Sequence, residues 1–143
     1  MPTVSRSRVL PAPLERVWEL IEDPHHLPRW WPQVRRVEGV EEDRFTEVMY
    51  TRKGKPVRVD FRIIAAEPPS RIAWEQDIPG TPFERVLAES VIELVLEPEG
   101  AATRVTIAQR QRLRGYSRTG GWMLRRATRG KLSEALDGLE QIV

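Results

Sequence analysis

The chain has 143 residues, no cysteine, 31% charged residues and a formal net charge of +2. That length suits one domain with a core that stands without staples, and the missing cysteines exclude a disulfide framework, a thiolate metal site and a thiol nucleophile. No apolar run reaches membrane-spanning length and no signal-peptide layout follows Met1, so a cytoplasmic protein is expected. Arginine outnumbers lysine twenty to three and lifts the pI to about 9.4, but the small net excess is a weak argument for nucleic acid.

Thr3 to Leu10 reads as a first strand. Pro11 and Pro13 then frame a helix start, with Pro13 suited to the first helical position because its φ is already helical and its missing N–H costs nothing there. Leu14, Val17, Trp18 and Ile21 recur at helical spacing and demand one buried face, which makes Trp18 a core residue. Asp23-Pro24 ends the helix, since the residue before proline is pushed out of the α region. A second short turn carries Leu27, Trp30 and Trp31 up to Pro32; on one helical face only one of the two tryptophans can pack, the other capping the rim.

Six more strands follow: Val34 to Glu41, Phe45 to Arg52, Lys55 to Ala66, Arg71 to Ile78, Glu84 to Glu97 and Thr103 to Arg114. The breaks between them are polar or contain Pro or Gly, and their shortness implies antiparallel neighbours. Alternation puts Val57, Val59, Phe61, Ile63 and Ala65 on one face, Ile72, Trp74, Gln76 and Ile78 on the face that continues it, and Leu94 and Leu96 against Val105 and Ile107. Asp60, Glu75 and Asp77 take the outward parity. In Phe45 to Arg52 the parity is ambiguous, and either Glu47 or Tyr50 could face in.

Pairing Glu97 with Arg104 across the last turn sets Glu89 opposite Arg112, Ser90 opposite Gln111 and Ile92 opposite Gln109, with Glu93 diagonal to Arg110. The charged pairs then form a solvated ladder worth about 0.2 to 1 kcal/mol each. Ser90, Gln109, Gln111 and Gln76 all point inward, where buried amides require partners. They either pair with one another, as Gln111 with Ser90, or line a cavity that is apolar at its floor and hydrogen-bonding at its mouth.

Ser117 to Val143 reads as one long helix with Ser117 or Thr119 as cap. Leu132, Ala135, Leu136, Leu139 and Ile142 form its core stripe. Its first half is thinner, with Leu124, Ala127 and Thr128 surrounded by Arg125, Arg126, Arg129 and Lys131 and interrupted by Gly130. Between Gly100 and Ser133 there is no acidic residue, so the end of the chain carries a positive surface. His25 and His26 are adjacent and splay about 100° apart, a poor metal pair even with Asp23 nearby. No nucleophile elbow, phosphate loop or metal-ligand pair is present, and no cofactor is called for.

Val9, Ala12-Pro13, Val17-Trp18, Ile21, Asp23 and the Trp30-Trp31-Pro32-Gln33-Val34 run resemble the N-terminus of the superfamily that contains polyketide cyclases, START lipid-transfer domains and birch-pollen-allergen-like proteins. The resemblance implies a single domain over residues 1–143 with an α+β helix-grip fold. In that fold a curved seven-stranded antiparallel sheet wraps around a long C-terminal helix, two short helices follow the first strand, and an apolar cavity lies between sheet and helix.

Three functions are compatible with this reading. A carrier or sensor would hold a small hydrophobic, lipid-like or aromatic molecule with Val59, Phe61, Ile63, Trp74, Trp122, Leu124 and Thr128, and orient it with Gln76, Ser90, Gln109 and Gln111. A cyclase, aromatase or dehydratase, implied by the resemblance, would fold a polyketide tethered to an acidic acyl carrier protein. The carrier would dock on Arg118, Arg125, Arg126, Arg129 and Lys131, and Tyr50, Gln109 or Arg125 would stabilise an enolate. No inner acid or base is apparent for that chemistry. An RNA-, ribosome- or membrane-associated protein would use the same basic surface, although only Tyr116 and Trp122 offer aromatics there. Either a monomer or a homodimer fits.

Overall fold

The computed structural model describes residues 3–115 and 118–143, with the side chains of residues 118–120 outside that description. Seven antiparallel strands form one open sheet in the order β1-β7-β6-β5-β4-β3-β2. They are β1 (Thr3–Leu10), β2 (Arg36–Glu38), β3 (Arg44–Tyr50), β4 (Pro56–Glu67), β5 (Arg71–Gln76), β6 (Leu87–Glu99) and β7 (Ala102–Leu113). Every consecutive pair from β2 to β7 is hydrogen-bonded, as short connections require, and only β1 reaches across the sequence to pair with β7. Helix α1 (Leu14–Glu22) and the short α2 (Leu27–Trp30) fill the interval before β2, and α3 (Arg118–Ile142) closes the chain. This is the α+β helix-grip architecture expected from the sequence.

Most of the expected boundaries hold to within two residues. Pro13 is the residue before α1 rather than its first, and its carbonyl accepts from the amides of Arg16 and Val17. Asp23 ends α1 and caps the 3-10 turn Pro24–His26 through the His25 amide, 3.0 Å away. The second strand is only three residues long, and Pro82–Arg85 is a 3-10 turn, so the sixth strand starts at Leu87 and not at Glu84. Ser117 as cap lies outside the described residues, and Thr119 is already inside α3.

The expected register of the last hairpin is observed residue for residue: Glu97 faces Arg104, Ile92 faces Gln109, Ser90 faces Gln111 and Glu89 faces Arg112. Its ion pairs run diagonally instead. Arg110 reaches Glu89 at 3.0 Å, Arg104 reaches Glu99 at 2.9 Å and Glu93 is taken by Arg71 at 2.7 Å. A shift in register between Ile63 and Ala65 moves Ala65 off the inner face, opposite Ala73. Alternation cannot foresee such a bulge.

Leu132, Ala135, Leu136 and Leu139 of α3 are fully buried in a core shared with Val4, Leu10, Trp18, Ile21, Leu94, Val105 and Ile107. The helix packs on β1, β7 and α2. Arg8 of β1 forms an ion pair with Asp137 on the flank of α3. Helix α2 comes so close to α3 that a Cβ on Gly138 would lie 2.5 Å from the Trp30 carbonyl oxygen.

Gly138→Ala is therefore expected to lower stability by about 1 to 3 kcal/mol, because backbone and not a flexible side chain must yield. Gly130 is also inside α3 but has nothing within 4 Å of its would-be Cβ among the described residues. There Gly130→Ala is expected to raise stability by about 0.5 to 1 kcal/mol through helix propensity alone. Urea unfolding of the two variants beside the parent checks both signs.

Candidate functional site

Strand β3 resolves the parity that the sequence leaves open. Phe45 and Glu47 are buried and Met49 half-buried, each pairing with an inner residue of β4: Phe61, Val59 and Val57. Tyr50 takes the other parity and is 42% exposed, with its hydroxyl accepting from Arg36 at 2.7 Å. Glu47 is thus the carboxyl of the concave face. It is 1% exposed, and its Oε2 has no hydrogen-bond partner among the described residues. Burial pushes this carboxyl up from an ordinary 4.5 to about 7, and the Lys131 ammonium pulls the other way. Lys131 in turn is lowered by burial and partly restored by Glu47. Its Nζ lies 5.8 Å from the centre of the Trp31 ring.

A further group of polar side chains lies on the inner face of β6 and β7. Gln109 donates to Ser90 Oγ at 3.2 Å, both buried, and Gln109 Oε1 has no partner among the described residues. Gln111 is half-buried and accepts from Thr128 of α3 at 3.0 Å. Gln111 is therefore bound to the helix and not to Ser90. The indole N–H groups of Trp30 and Trp74 also lack partners among the described residues. Each such group carries a desolvation penalty of about 1 to 3 kcal/mol, so the gathering of Glu47, Gln109 and Trp74 on the inner face of the sheet is a local departure from a stability-optimised core.

Beside this group, a cleft of about 320 Å³ opens between the first half of α3, the end of β7 and the segment after α2. Its walls are Pro32, Gln33, Gln111, Leu124, Ala127, Thr128, Gly130, Lys131 and Glu134. Gln33 holds a left-handed φ of 69°, which turns the chain away from Trp31 and places its side chain between two depressions. The second, of about 470 Å³, is lined by Gln33, Arg35, Met49, Tyr50, Thr51, Arg52, Val57 and Phe83 at the open end of β3 and β4.

Of the residues expected to contact a ligand, Gln111, Leu124 and Thr128 line the cleft. Ser90 and Gln109 lie buried behind them, and Gln76 is half-buried at the end of β5. Trp74 is fully buried, edge-on to Trp31 and Phe45, and Phe61 stacks on Phe45 at 5.3 Å, which makes these rings floor and core and not a stacking platform. Val59 is buried and Ile63 half-buried in the same layer. Trp122 is 52% exposed and covered on one side by Arg126, outside the cleft. Trp30 and Trp31 are both buried, contrary to the one-in, one-out expectation, because α2 ends at Trp30 and Trp31 turns into extended backbone.

Tyr50 and Arg125 do not face the concave side: both are exposed. Arg126 is also exposed and Arg129 half-buried, while the side chain of Arg118, like Tyr116, lies outside the described residues. Asp23 is held below its ordinary range despite some burial by hydrogen bonds from His25, whose Nδ1 is 2.8 Å away. His26 is instead 3.2 Å from Arg29, so the two histidines do not converge. Among the described residues, no group of three or more His, Asp or Glu side chains could hold a metal. No described helix is long and apolar enough to cross a membrane.

Fold and concave site together are those of a helix-grip scaffold, a sheet wrapped around a long helix with a cleft left open at one end. The model of the family described as polyketide cyclase / dehydrase and lipid transport matches residues 1–143, and the chain belongs to that family. No curated protein is similar to it. Among solved structures, TTHA0849 of Thermus thermophilus is 25% identical, with 98% of this chain and 95% of that chain covered and a TM-score of 0.75. The di-domain ARO/CYC BexL from the BE-7585A biosynthetic pathway is 24% identical with a TM-score of 0.76. The match spans 98% of this chain but only 47% of BexL. A START superfamily protein from Mycobacterium smegmatis is 12% identical with a TM-score of 0.77, over 97% of this chain and 94% of that one.

The Glu47 carboxyl makes stability depend on pH in a stated direction. Its folded value, about 7, lies above the unfolded 4.5, so folding favours the protonated form. This contribution is complete below pH 4.5 and lost as pH rises through 7. Relative to Glu47→Gln, the parent is expected to lose about 2 to 4 kcal/mol of stability across that window. Denaturant midpoints of the two proteins, measured at several pH values, would remain parallel if Glu47 titrated normally.

Proposed function

We propose that this chain, acting as one domain, binds a small, flat, largely apolar molecule carrying a hydrogen-bonding group, in the cleft between α3 and the end of the sheet. The cleft carries this reading: its apolar Leu124, Ala127 and Pro32 meet the hydrogen-bonding Gln111 and Thr128 in one concavity, with Lys131 at its inner wall. Ligand pockets for compact molecules run from about 300 to 1,000 Å³. At about 320 Å³ the cleft suits a two- or three-ring molecule or a short acyl segment and not a bulky lipid. The family, described as polyketide cyclase / dehydrase and lipid transport, agrees with an apolar ligand.

One observation favours a second reading, cyclisation or dehydration of a polyketide delivered by an acidic carrier protein. The sequence offers no obvious inner acid or base, but Glu47 is a carboxyl on the concave face whose value near 7 suits proton transfer in both directions at neutral pH. The exposed Arg125 and Arg126 lie on the same half of α3 as the cleft and complement an acidic carrier.

Titration with 1-naphthalenemethanol, followed by calorimetry and tryptophan fluorescence, tests the binding reading. The parent is expected to bind, Ala127→Phe to weaken binding about ten-fold or more by filling the cleft, and Gln111→Leu to weaken it less by removing one hydrogen bond. Equal affinity across all three proteins would put the ligand elsewhere and sink the assignment.

A further inference from the structure

The chain has three lysines, and the structure separates them sharply. Lys53 and Lys55 are exposed in the turn between β3 and β4. Lys131 projects from α3 into the wall of the cleft, half-buried, with its Nζ over the face of Trp31 and within electrostatic reach of the Glu47 carboxyl in the concave core. Glu134, one turn further along α3, is exposed at the outer rim of the same cleft. A half-buried amine at the wall of a cleft, within electrostatic reach of a buried carboxyl that has a free oxygen, is an arrangement suited to nucleophilic lysine chemistry.

We propose that Lys131 captures carbonyl ligands, aldehydes or ketones on a flat apolar framework, as a reversible imine, with Glu47 as the group that moves the proton. This rests on the cleft being the ligand site. In the step, the Nζ lone pair of the neutral amine adds to the carbonyl carbon, the C=O π pair moves to oxygen, and one proton passes from the nitrogen to that oxygen to give a neutral carbinolamine. Protonation of that hydroxyl, with the proton coming from Glu47, lets it leave as water while the nitrogen lone pair forms the C=N bond. The product is a protonated imine facing the Glu47 carboxylate, so charge is conserved and no oxidant or reductant is consumed. Burial disfavours the charged form of each group, lowering Lys131 and raising Glu47 to about 7, so the amine gives up its proton more readily than an exposed lysine and the carboxyl carries one more readily than an exposed glutamate.

With only three lysines in the chain, two of them exposed, the test is direct. The folded full-length chain is incubated near neutral pH with 1-naphthaldehyde and sodium cyanoborohydride, which fixes any imine as a stable secondary amine, and the modified lysine is located by peptide mass spectrometry. Lys131 is expected to label at least about ten-fold faster than the exposed Lys53 or Lys55, because the cleft holds the ring and its carbonyl beside the amine. Lys131→Met is expected to lose this fast phase, whereas Lys53→Arg, outside the cleft, is expected to keep both the fast phase and the binding of 1-naphthalenemethanol. Glu47→Gln frees the amine further yet removes the proton carrier, so slower labelling is expected; faster labelling would take Glu47 out of the chemistry. If 1-naphthalenemethanol binds in the cleft but the exposed lysines label as fast as Lys131, the imine proposal is overturned and the binding reading survives. If the alcohol does not bind and Lys131 does not label preferentially, both fall.

Discussion

The close approach of α3 to α2 at Gly138 governs the shape of the concavity. Only a residue without a side chain lets the α3 backbone meet the Trp30 carbonyl, where a Cβ would come within 2.5 Å. That contact presses both Trp30 and Trp31 into the core, where their rings meet edge-on at 5.5 Å and Trp31 reaches Trp74 at 6.0 Å. One half of the groove is thereby solid, filled by aromatic rings and by the Leu132, Leu136 and Leu139 stripe. Toward its N-terminal end, α3 presents an exposed Ala127 and a half-buried Leu124 in place of large buried side chains, and the groove stays open. The cleft is what remains of a concave sheet after one end has been packed.

The inner polar groups acquire their meaning at that boundary. A core built for stability would replace Glu47 and Gln109 by apolar residues of similar size, since neither carboxyl Oε2 nor amide Oε1 recovers the hydration it has lost. Natural sequences keep such penalties where a site needs them. Here the penalties cluster: Glu47, Gln109 and the Trp74 indole on the concave face of the sheet, with Thr128 and Gln111 tying the helix to the strand at the cleft mouth. The Gln111–Thr128 bond also holds the open half of α3 in place despite its thin apolar stripe.

Most of the fold was legible because its strands alternate clearly and their turns are short. The β6–β7 register followed from a single assumed pair, and with it the inward placement of Ser90, Gln109 and Gln111. Glu47 was not legible, for a physical reason. In Arg44–Tyr50, one parity holds Phe45, Glu47 and Met49 and the other Thr46, Val48 and Tyr50, so each face mixes apolar and polar residues. Only pairing with Val59 of β4 settles the choice. The tryptophan pair misled because periodicity assumes a helix that continues, whereas α2 stops between the two rings. Ala65 misled because a bulge shifts parity without leaving a glycine to mark it.

The choice of cation in the cleft is an argument in its own right. This chain meets nearly all its need for positive charge with arginine, whose guanidinium stays protonated in any protein setting and pairs well with the carboxylates that flank it on the sheet's outer face. At Arg71 and Arg36, carboxylate partners raise that basicity further. Lysine is kept for three positions, and one of them faces the buried carboxyl. An ammonium can give up its proton when water is withdrawn; a guanidinium cannot. If position 131 served only to balance Glu47 or to cover Trp31, arginine would do both, with a planar group better suited to stacking on indole. What lysine adds is an amine that burial can discharge, at the wall of the cleft and within electrostatic reach of a buried carboxyl that burial can protonate.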